Sequence, residues 1–195
     1  MLEKKDLLSL EDYARKRDAF RQHIMKIKKN RQLSLGEHVR LMFENRATIH
    51  YQIQEVLRIE KIFEPAEIQA ELDVYNPLIP TGHNLKATLM LEYPDVVMRK
   101  QALAKLIGIE RCLYLTVDGL SQVRPICNED LERETEEKTS AVHFMRLELN
   151  TQMIRCFITQ KPVELGIDHP HYQAKVILPK NIQQALAEDF STHLA

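Results

Sequence analysis

Two glutamates in an apolar helical segment are the residues of this sequence best suited to acid–base chemistry. At 3.6 residues per turn, the segment 45–63 (NRATIHYQIQEVLRIEKIF) is apolar around most of its circumference, and Glu55 and Glu60 point toward its apolar flanks. A carboxylate away from water requires a cation, hydrogen-bond donors, a metal ion or a raised pKa. Glu55 and Glu60 are therefore the candidate catalytic residues. Alternatively, Arg side chains or backbone amides satisfy them and they orient neighbouring elements.

Further polar side chains on or near this helix are candidates for ligand binding. Those on the helix and just before it are Glu44, Thr48, Gln52 and Arg58. Tyr75 and Asn76 join them, because they lie where a predicted helix meets the proline-braced loop 76–84 (NPLIPTGHN), and such loops often line ligand clefts. The alternative is that Asn76 caps a helix end and that Tyr75 packs beneath the loop.

Three histidines are candidate ligands for a divalent metal ion. His169 and His171 are two residues apart, so in an extended chain both rings project to the same side, an arrangement typical of two metal ligands. His143, on a predicted strand, could supply a third ligand. No recurring ligand spacing such as HExxH is present. The alternative is a hydrogen-bonded core histidine at 143 and a surface turn at 168–171.

Composition and motifs exclude several classes of protein. The chain has 195 residues, only 5 glycines, and neither GxGxxG nor GxxxxGK[ST], which excludes those nucleotide-binding loops. Its 3 cysteines form no CxxC motif, so we expect no disulfide framework, thiolate zinc site or iron–sulfur cluster. The net charge of −1 gives no reason to expect nucleic-acid binding. No apolar run reaches the length of about 18 residues of a membrane span, and no signal peptide is recognisable, so we expect a cytoplasmic protein.

The elements that would position these residues are mixed helices and strands without βαβ alternation. Ser9 is the expected N-cap of an amphipathic N-terminal helix over about 9–30, and Asn45 the expected N-cap of the central helix over 45–63. This order predicts an α+β fold with a mainly antiparallel sheet, in a single domain over 1–195 that includes the acidic segment 129–137. Further helices are predicted at 66–75, 96–108, 151–160 and 181–195. Strands are predicted at 31–35, 39–43, 85–93, 111–119, 123–127, 140–149, 162–168 and 172–179.

Several long strings resemble a known family. LMFENRATIHYQIQEVLRIEKI, YNPLIPTG, ATLMLEYPD, TSAVHFMRLEL and DHPHY occur here in the order found in the bacterial domain-of-unknown-function family 3501, and the resemblance covers nearly the whole chain. The family provides no reaction, substrate or catalytic residues to transfer. Its genes often lie beside those for rubrerythrin and cysteine-rich iron–sulfur reductases, so the resemblance implies an accessory role with such redox partners.

Two functional hypotheses follow from the sequence. The first is an accessory or binding component of a bacterial redox or peroxide-stress system, with a cleft built from the central helix, the 76–84 loop and neighbouring strands. The second is a metal-dependent or acid–base enzyme that uses Glu55 and Glu60, or the pair His169 and His171, around the same helix.

Overall fold

The computed structural model describes residues 1–129 and 133–190. They form six α-helices and eight strands, which confirms the predicted α+β class. The helices are α1 (Leu10–Lys29), α2 (Arg46–Glu60), α3 (Pro65–Tyr75), α4 (Val96–Lys105), α5 (Thr151–Ile158) and α6 (Lys180–Ala187). The strands are β1 (Gln32–Leu35), β2 (Val39–Glu44), β3 (Asn84–Leu91), β4 (Leu113–Val117), β5 (Ile126–Cys127), β6 (Val142–Glu148), β7 (Val163–His169) and β8 (Tyr172–Ile177).

The strands form two antiparallel sheets. The larger has the order β1-β2-β3-β6-β5 and the smaller the order β4-β7-β8. Because successive side chains of a strand point to opposite faces, β2, β3 and β6 of the larger sheet each contribute one buried and one largely half-exposed row. The buried rows, such as Leu41 and Phe43 on β2, form the main core with the smaller sheet, α5 and α6.

The half-exposed rows of β2, β3 and β6 form a surface that we call the outer face. In register, its three rows across these strands are Arg40, Met90 and Val142; Met42, Thr88 and Phe144; and Glu44, Lys86 and Arg146. Near this face, α2, α3 and the N-terminal residues form a second, smaller apolar cluster that includes Leu2, Ile53 and Leu72.

Local sequence explains where the helices near the outer face begin. The Ser9 hydroxyl accepts a hydrogen bond from the Asp12 amide (3.1 Å), as an N-cap of α1 should. At the start of α2, the Asn45 side chain accepts from the Thr48 amide and the Thr48 hydroxyl accepts from the Asn45 amide, each at 2.9 Å. Helix α3 starts with Pro65, whose missing N–H has no role in the first turn.

Two predicted segments differ from the structure. The turn signal Asp118-Gly119 predicts that segment 123–127 pairs antiparallel with the strand before it, but this segment pairs with β4 only through one bridge from Val123 to Leu115, whereas Ile126 and Cys127 pair with β6. Pro125 explains the change, because it has no N–H to donate and cannot continue the ladder. The last predicted helix ends at Ala187, and residues 191–195 of that prediction, like 130–132 of the acidic segment, lie outside the described residues.

Candidate ligand-binding cleft

A cleft lies between the outer face and the elements above it, α2 and the end of α3 with the turn Asn76–Leu78. It has two chambers. The first, about 320 Å³, is lined by residues that include Lys28, Met42, Glu44, Thr48, Gln52 and Thr88. The second, about 510 Å³, is lined by residues that include Asp73, Lys86, Ile126, Glu129, Arg133 and Arg146. Tyr75, Leu78 and Phe144 line both chambers and form an apolar bridge between them.

Four of the six predicted ligand-binding residues meet in the first chamber: Glu44, Thr48, Gln52 and Tyr75. Arg58 is exposed on α2 and does not line the cleft. Asn76 holds the N-terminal segment instead, since its side chain accepts from the Leu2 amide (2.7 Å) and donates to the Leu2 carbonyl (3.0 Å). The ligand-binding role of these residues stays a prediction.

Glu44 is the acidic group of the first chamber. It is the last residue of β2, and it is half-buried. The Thr48 hydroxyl donates to its Oε2 (2.6 Å) and the Thr88 hydroxyl donates to its Oε1 (3.1 Å). Within residues 1–129 and 133–190, Glu44 forms no ion pair. A carboxylate can accept about four hydrogen bonds, so Glu44 keeps the capacity to bind a cationic group.

Lys86 is a basic group of the second chamber that the sequence analysis missed. It lies directly opposite Glu44 in the β2–β3 register and is half-buried. Among the described residues its ammonium has neither a hydrogen bond nor an ion pair. Burial lowers the pKa of Lys86, and the nearby positive charge of Arg146 lowers it further, while Glu129 and Glu148 oppose the shift. The alternation of LKATLMLEY was the available signal, because it places Lys86 and Thr88 on one face of the strand.

The other cations of the second chamber are already engaged. Arg146 donates to Glu129 through Nε (2.6 Å) and Nη2 (3.0 Å), and to Glu148 through Nη1 (2.5 Å). The guanidinium of Arg133 lies over the Phe144 ring, 4.5 Å from its centroid. Lys86 is therefore the cation of this chamber that is best placed to bind an anionic group.

Glu55 has protein partners rather than an open site. Arg17 of α1 donates to both of its oxygens at 2.7 Å, and the Tyr13 hydroxyl donates to Oε1 at 2.6 Å. The hydrogen bonds from Arg17 hold the pKa of Glu55 below its ordinary value, against the opposing effect of burial. The side chain is 14% exposed. This geometry matches the structural alternative, in which an arginine satisfies the carboxylate and orients α1 on α2.

Two side chains of α2 differ from the predicted pattern. Glu60 is exposed, so its predicted burial is wrong. Glu60 is the last residue of α2, and Ile59 and Phe63 beside it are each 67% exposed, so the apolar environment ends before this turn. The 3.6-residue period places Gln54 on the polar side of the helix, but Gln54 is fully buried; its side chain accepts from the Leu8 amide (2.6 Å) and donates to the Leu8 carbonyl (3.4 Å).

Two of the three candidate metal-binding histidines, His169 and His143, have hydrogen-bonding neighbours at their ring nitrogens, whereas His171 is exposed. His169 Nε2 lies 3.1 Å from the Ile107 carbonyl, and its Nδ1 accepts from the His171 amide (3.2 Å). His143 is on the other sheet, where it is fully buried and Nε2 lies 3.0 Å from both the Thr139 hydroxyl and the Ser140 carbonyl. In the described part of the chain, no three His, Cys, Asp or Glu side chains are grouped as a metal ion would require.

His143 also lies near a buried carboxylate. Glu110 is fully buried, neither of its oxygens has a hydrogen-bond partner among the residues that the structure describes, and Oε2 lies 3.9 Å from His143 Nδ1. Arg111 Nη1 lies 3.0 Å from Oε1 and provides the nearest positive charge. Burial lowers the pKa of His143 below its ordinary value, against the opposing effect of the Glu110 charge.

A wider cavity of about 630 Å³ lies beside the N-terminal half of α2 and is lined by Arg46, His50 and Asp189 among others. It contains none of the predicted ligand-binding residues. Two of its charged groups have protein partners, since Arg46 pairs with Asp6 (3.0 Å) and Asp189 pairs with Arg31. The two-chamber cleft is therefore a stronger candidate for a binding site than this cavity.

The matching family and a similar solved structure are both described as being of unknown function. The described helices contain no stretch that is long and apolar enough to cross a membrane. The comparison with curated proteins gives no match. A crystal structure of a novel protein of unknown function from Burkholderia pseudomallei K96243 is similar, with 47% sequence identity, a TM-score of 0.92, and coverage of 97% of this chain and 99% of that one. Residues 1–190 match the family described as protein of unknown function DUF3501, and the chain therefore belongs to that family.

Proposed function

We propose that this protein is a cytoplasmic accessory or binding component of a bacterial redox or peroxide-stress system, and that it holds a small ligand in the two-chamber cleft. The observation that supports ligand binding is that two charged side chains of the cleft have no ion pair. Glu44 and Lys86 are half-buried charges without ion partners among the described residues, whereas Glu55 and Arg46 of α2 have them. Ligand sites combine mostly apolar walls with a few such convergent polar groups.

The size and lining of the cleft support a small ligand. Chambers of about 320 and 510 Å³ fall in the usual range for small-molecule sites. The walls are largely apolar, with Met42, Met90 and Phe144 on the outer face and Leu78 above it. Removing these half-exposed apolar surfaces from water on binding would contribute roughly 25 cal/mol per Å².

The cleft can be tested by filling it from an exposed helix position. Gln52 lines the first chamber but is exposed, so Gln52→Trp should obstruct the chamber at little cost to folding. Arg58→Trp, also exposed on α2 but outside the cleft, is the matched control. Each protein is dialysed against a bacterial metabolite extract, and retained compounds are identified by mass spectrometry. We expect a compound retained by wild type and Arg58→Trp but lost from Gln52→Trp; equal retention by all three would contradict a ligand site here.

The redox part is supported by the frequent position of the family's genes beside those for rubrerythrin and iron–sulfur reductases. Its test uses the purified chain and a purified rubrerythrin-type protein from the same organism. Co-elution of the two in gel filtration at near-equal stoichiometry is the expected result. Separate elution of the two proteins at low and at physiological salt, with and without a retained metabolite, would contradict the accessory role and leave the binding cleft to its own test.

A further inference from the structure

Glu44 and Lys86 are opposite charges that the fold places side by side and yet directs into different chambers. They are register partners on β2 and β3, with side chains on the same face, so their Cβ atoms are about 5 Å apart. Opposite charges in such a position usually pair across the strands. Here Glu44 lines only the first chamber, where it accepts from Thr48 and Thr88, and Lys86 lines only the second.

Each group keeps the capacity to bind an external partner of opposite charge. Two threonine hydroxyls occupy part of the acceptor capacity of Glu44, and the remainder suits the N–H groups of an ammonium. The Lys86 ammonium has three donors and no acceptor among the described residues. Arg146 does not compete for an incoming anion, because Glu129 and Glu148 already accept from its guanidinium.

The two chambers share apolar lining. Tyr75, Leu78 and Phe144 line both chambers, so a molecule that occupies both of them and reaches Glu44 and Lys86 contacts these three side chains. A ligand with a single charge would leave one of the two half-buried groups without a partner, which is unfavourable. A ligand without an apolar body would leave the bridge in contact with water.

We propose that the ligand of the cleft is a small zwitterion with an apolar body, of the class of a hydrophobic amino acid or dipeptide, whose ammonium binds Glu44 and whose carboxylate binds Lys86. This inference rests on the proposed binding function of the cleft. The apolar side chains of the ligand pack against Tyr75 and Phe144.

The first arm of the test uses wild-type protein and four probes in isothermal titration calorimetry: leucine, Leu-Phe, N-acetyl-Leu-Phe and Leu-Phe-amide. The second probe carries both charges, the third lacks the ammonium and the fourth lacks the carboxylate. A hydrogen-bonded charge pair supports an affinity loss of about 10- to 100-fold when one partner is removed. We expect Leu-Phe to bind and each blocked dipeptide to bind about 10- to 100-fold more weakly, while leucine shows whether one residue spans both charges.

The second arm assigns each ligand charge to one residue. Glu44→Gln should weaken Leu-Phe binding about as much as acetylation of the ligand does, and it should bind N-acetyl-Leu-Phe no more weakly than wild type does. Lys86→Met should weaken Leu-Phe binding about as much as amidation of the ligand does, and it should bind Leu-Phe-amide no more weakly than wild type does. Glu92→Gln and Lys175→Met are matched controls. Glu92 directly follows β3 and Lys175 lies on β8, and neither residue lines a chamber. Thermal melting confirms that each variant is folded.

The outcomes separate this inference from the proposed function. Blocked dipeptides that bind wild type as tightly as Leu-Phe would overturn the zwitterion, and so would no binding of leucine or Leu-Phe when wild type retains some other metabolite that Gln52→Trp loses. In the second case the cleft remains a ligand site for another class of compound. Equal retention of metabolites by wild type and Gln52→Trp would overturn both proposals.

Discussion

The two sides of α2 differ in whether their charged groups have partners. Toward α1, Glu55 accepts from Arg17 and Tyr13, and three hydrogen bonds close the contact. Toward the outer face, Glu44 receives only threonine hydroxyls, and Lys86 has no polar partner in residues 1–129 and 133–190. The charged groups between α1 and α2 therefore satisfy one another, as in a structural contact, whereas those below α2 on the sheet remain able to bind another molecule.

The difference arises from the elements that face α2. Helix α1 runs beside α2 and provides a long guanidinium that can reach a carboxylate with two parallel donors. The outer face provides short hydroxyls near Glu44, and Arg146, the arginine in the same row as Glu44, is occupied by Glu129 and Glu148. The same acidic residue type thus stabilises the fold on one side and remains available on the other.

The largest expected effect comes from the closed side. Glu55→Gln removes the charge that Arg17 faces and at least one of three hydrogen bonds, so the free energy of unfolding should fall by about 2 kcal/mol. Glu60→Gln is the matched control on the same helix, and because Glu60 is exposed it should change stability by less than about 0.5 kcal/mol. Urea denaturation followed by circular dichroism measures both values. Equal effects of the two substitutions would contradict a stabilising role for the hydrogen bonds of Arg17 and Tyr13 to Glu55.

The pH dependence of the same variant tests the cause. The folded-state pKa of Glu55 is below its ordinary value of 4.5, so the unfolded chain binds more protons at acidic pH. The stabilisation is therefore complete above pH 4.5 and is lost as the pH falls through the folded-state pKa. We expect the stability difference between wild type and Glu55→Gln to stay constant from about pH 7 to 5 and to shrink below pH 4.5. A difference that does not change down to pH 3 would mean that charge is not its source.

The sequence contained enough information to predict part of this comparison. The 3.6-residue period located α2 and placed Glu55 at a half-buried position that needs a partner, and Arg was among the expected partners. It could not predict which arginine, because Arg17 lies 38 positions away and its approach depends on how α1 docks. For Glu60 the sequence predicted burial that does not exist. Periodicity assumes a uniform environment along a helix, but the apolar surroundings of α2 end before its last turn.

Lys86 was missed for a different reason. The alternation of β3 correctly separated its two faces, but the face that carries Lys86, Thr88 and Met90 reads as a solvent face in sequence. Only the packing of α2 and α3 above the sheet converts that face into a cleft, and this is tertiary information. Of the six candidate ligand-binding residues, Glu44, Thr48, Gln52 and Tyr75 line the same chamber, and three of these four belong to α2 or closely precede it. Their role in binding stays a prediction.

Matched removal of one hydroxyl from each carboxylate should give a smaller contrast. Tyr13→Phe deletes the 2.6 Å donor to Glu55 from a fully buried ring and should cost about 1 kcal/mol. Thr88→Val deletes the 3.1 Å donor to Glu44 in the half-exposed cleft, where water can replace it, and should change stability by about 0.5 kcal/mol or less. Thermal unfolding at pH 7 measures the pair. A larger loss for Thr88→Val would mean that Glu44 is as much a structural residue as Glu55.

The smallest expected effect has the opposite sign. Lys86 is a half-buried charge without an ion partner among the described residues, so the folded state gains little from it. Lys86→Met keeps the length of the side chain and adds apolar contact with the bridge of Tyr75, Leu78 and Phe144, and we expect the free energy of unfolding to rise by about 0.5 kcal/mol. Lys175→Met, on the exposed face of β8, is the control and should not measurably change the free energy of unfolding. A residue that lowers stability where it stands and is needed for ligand binding is what a binding site requires, because binding sites commonly sacrifice stability for function. If Lys86→Met instead lowers stability, Lys86 has a structural role, and the outer face would be a closed contact like the one between α1 and α2.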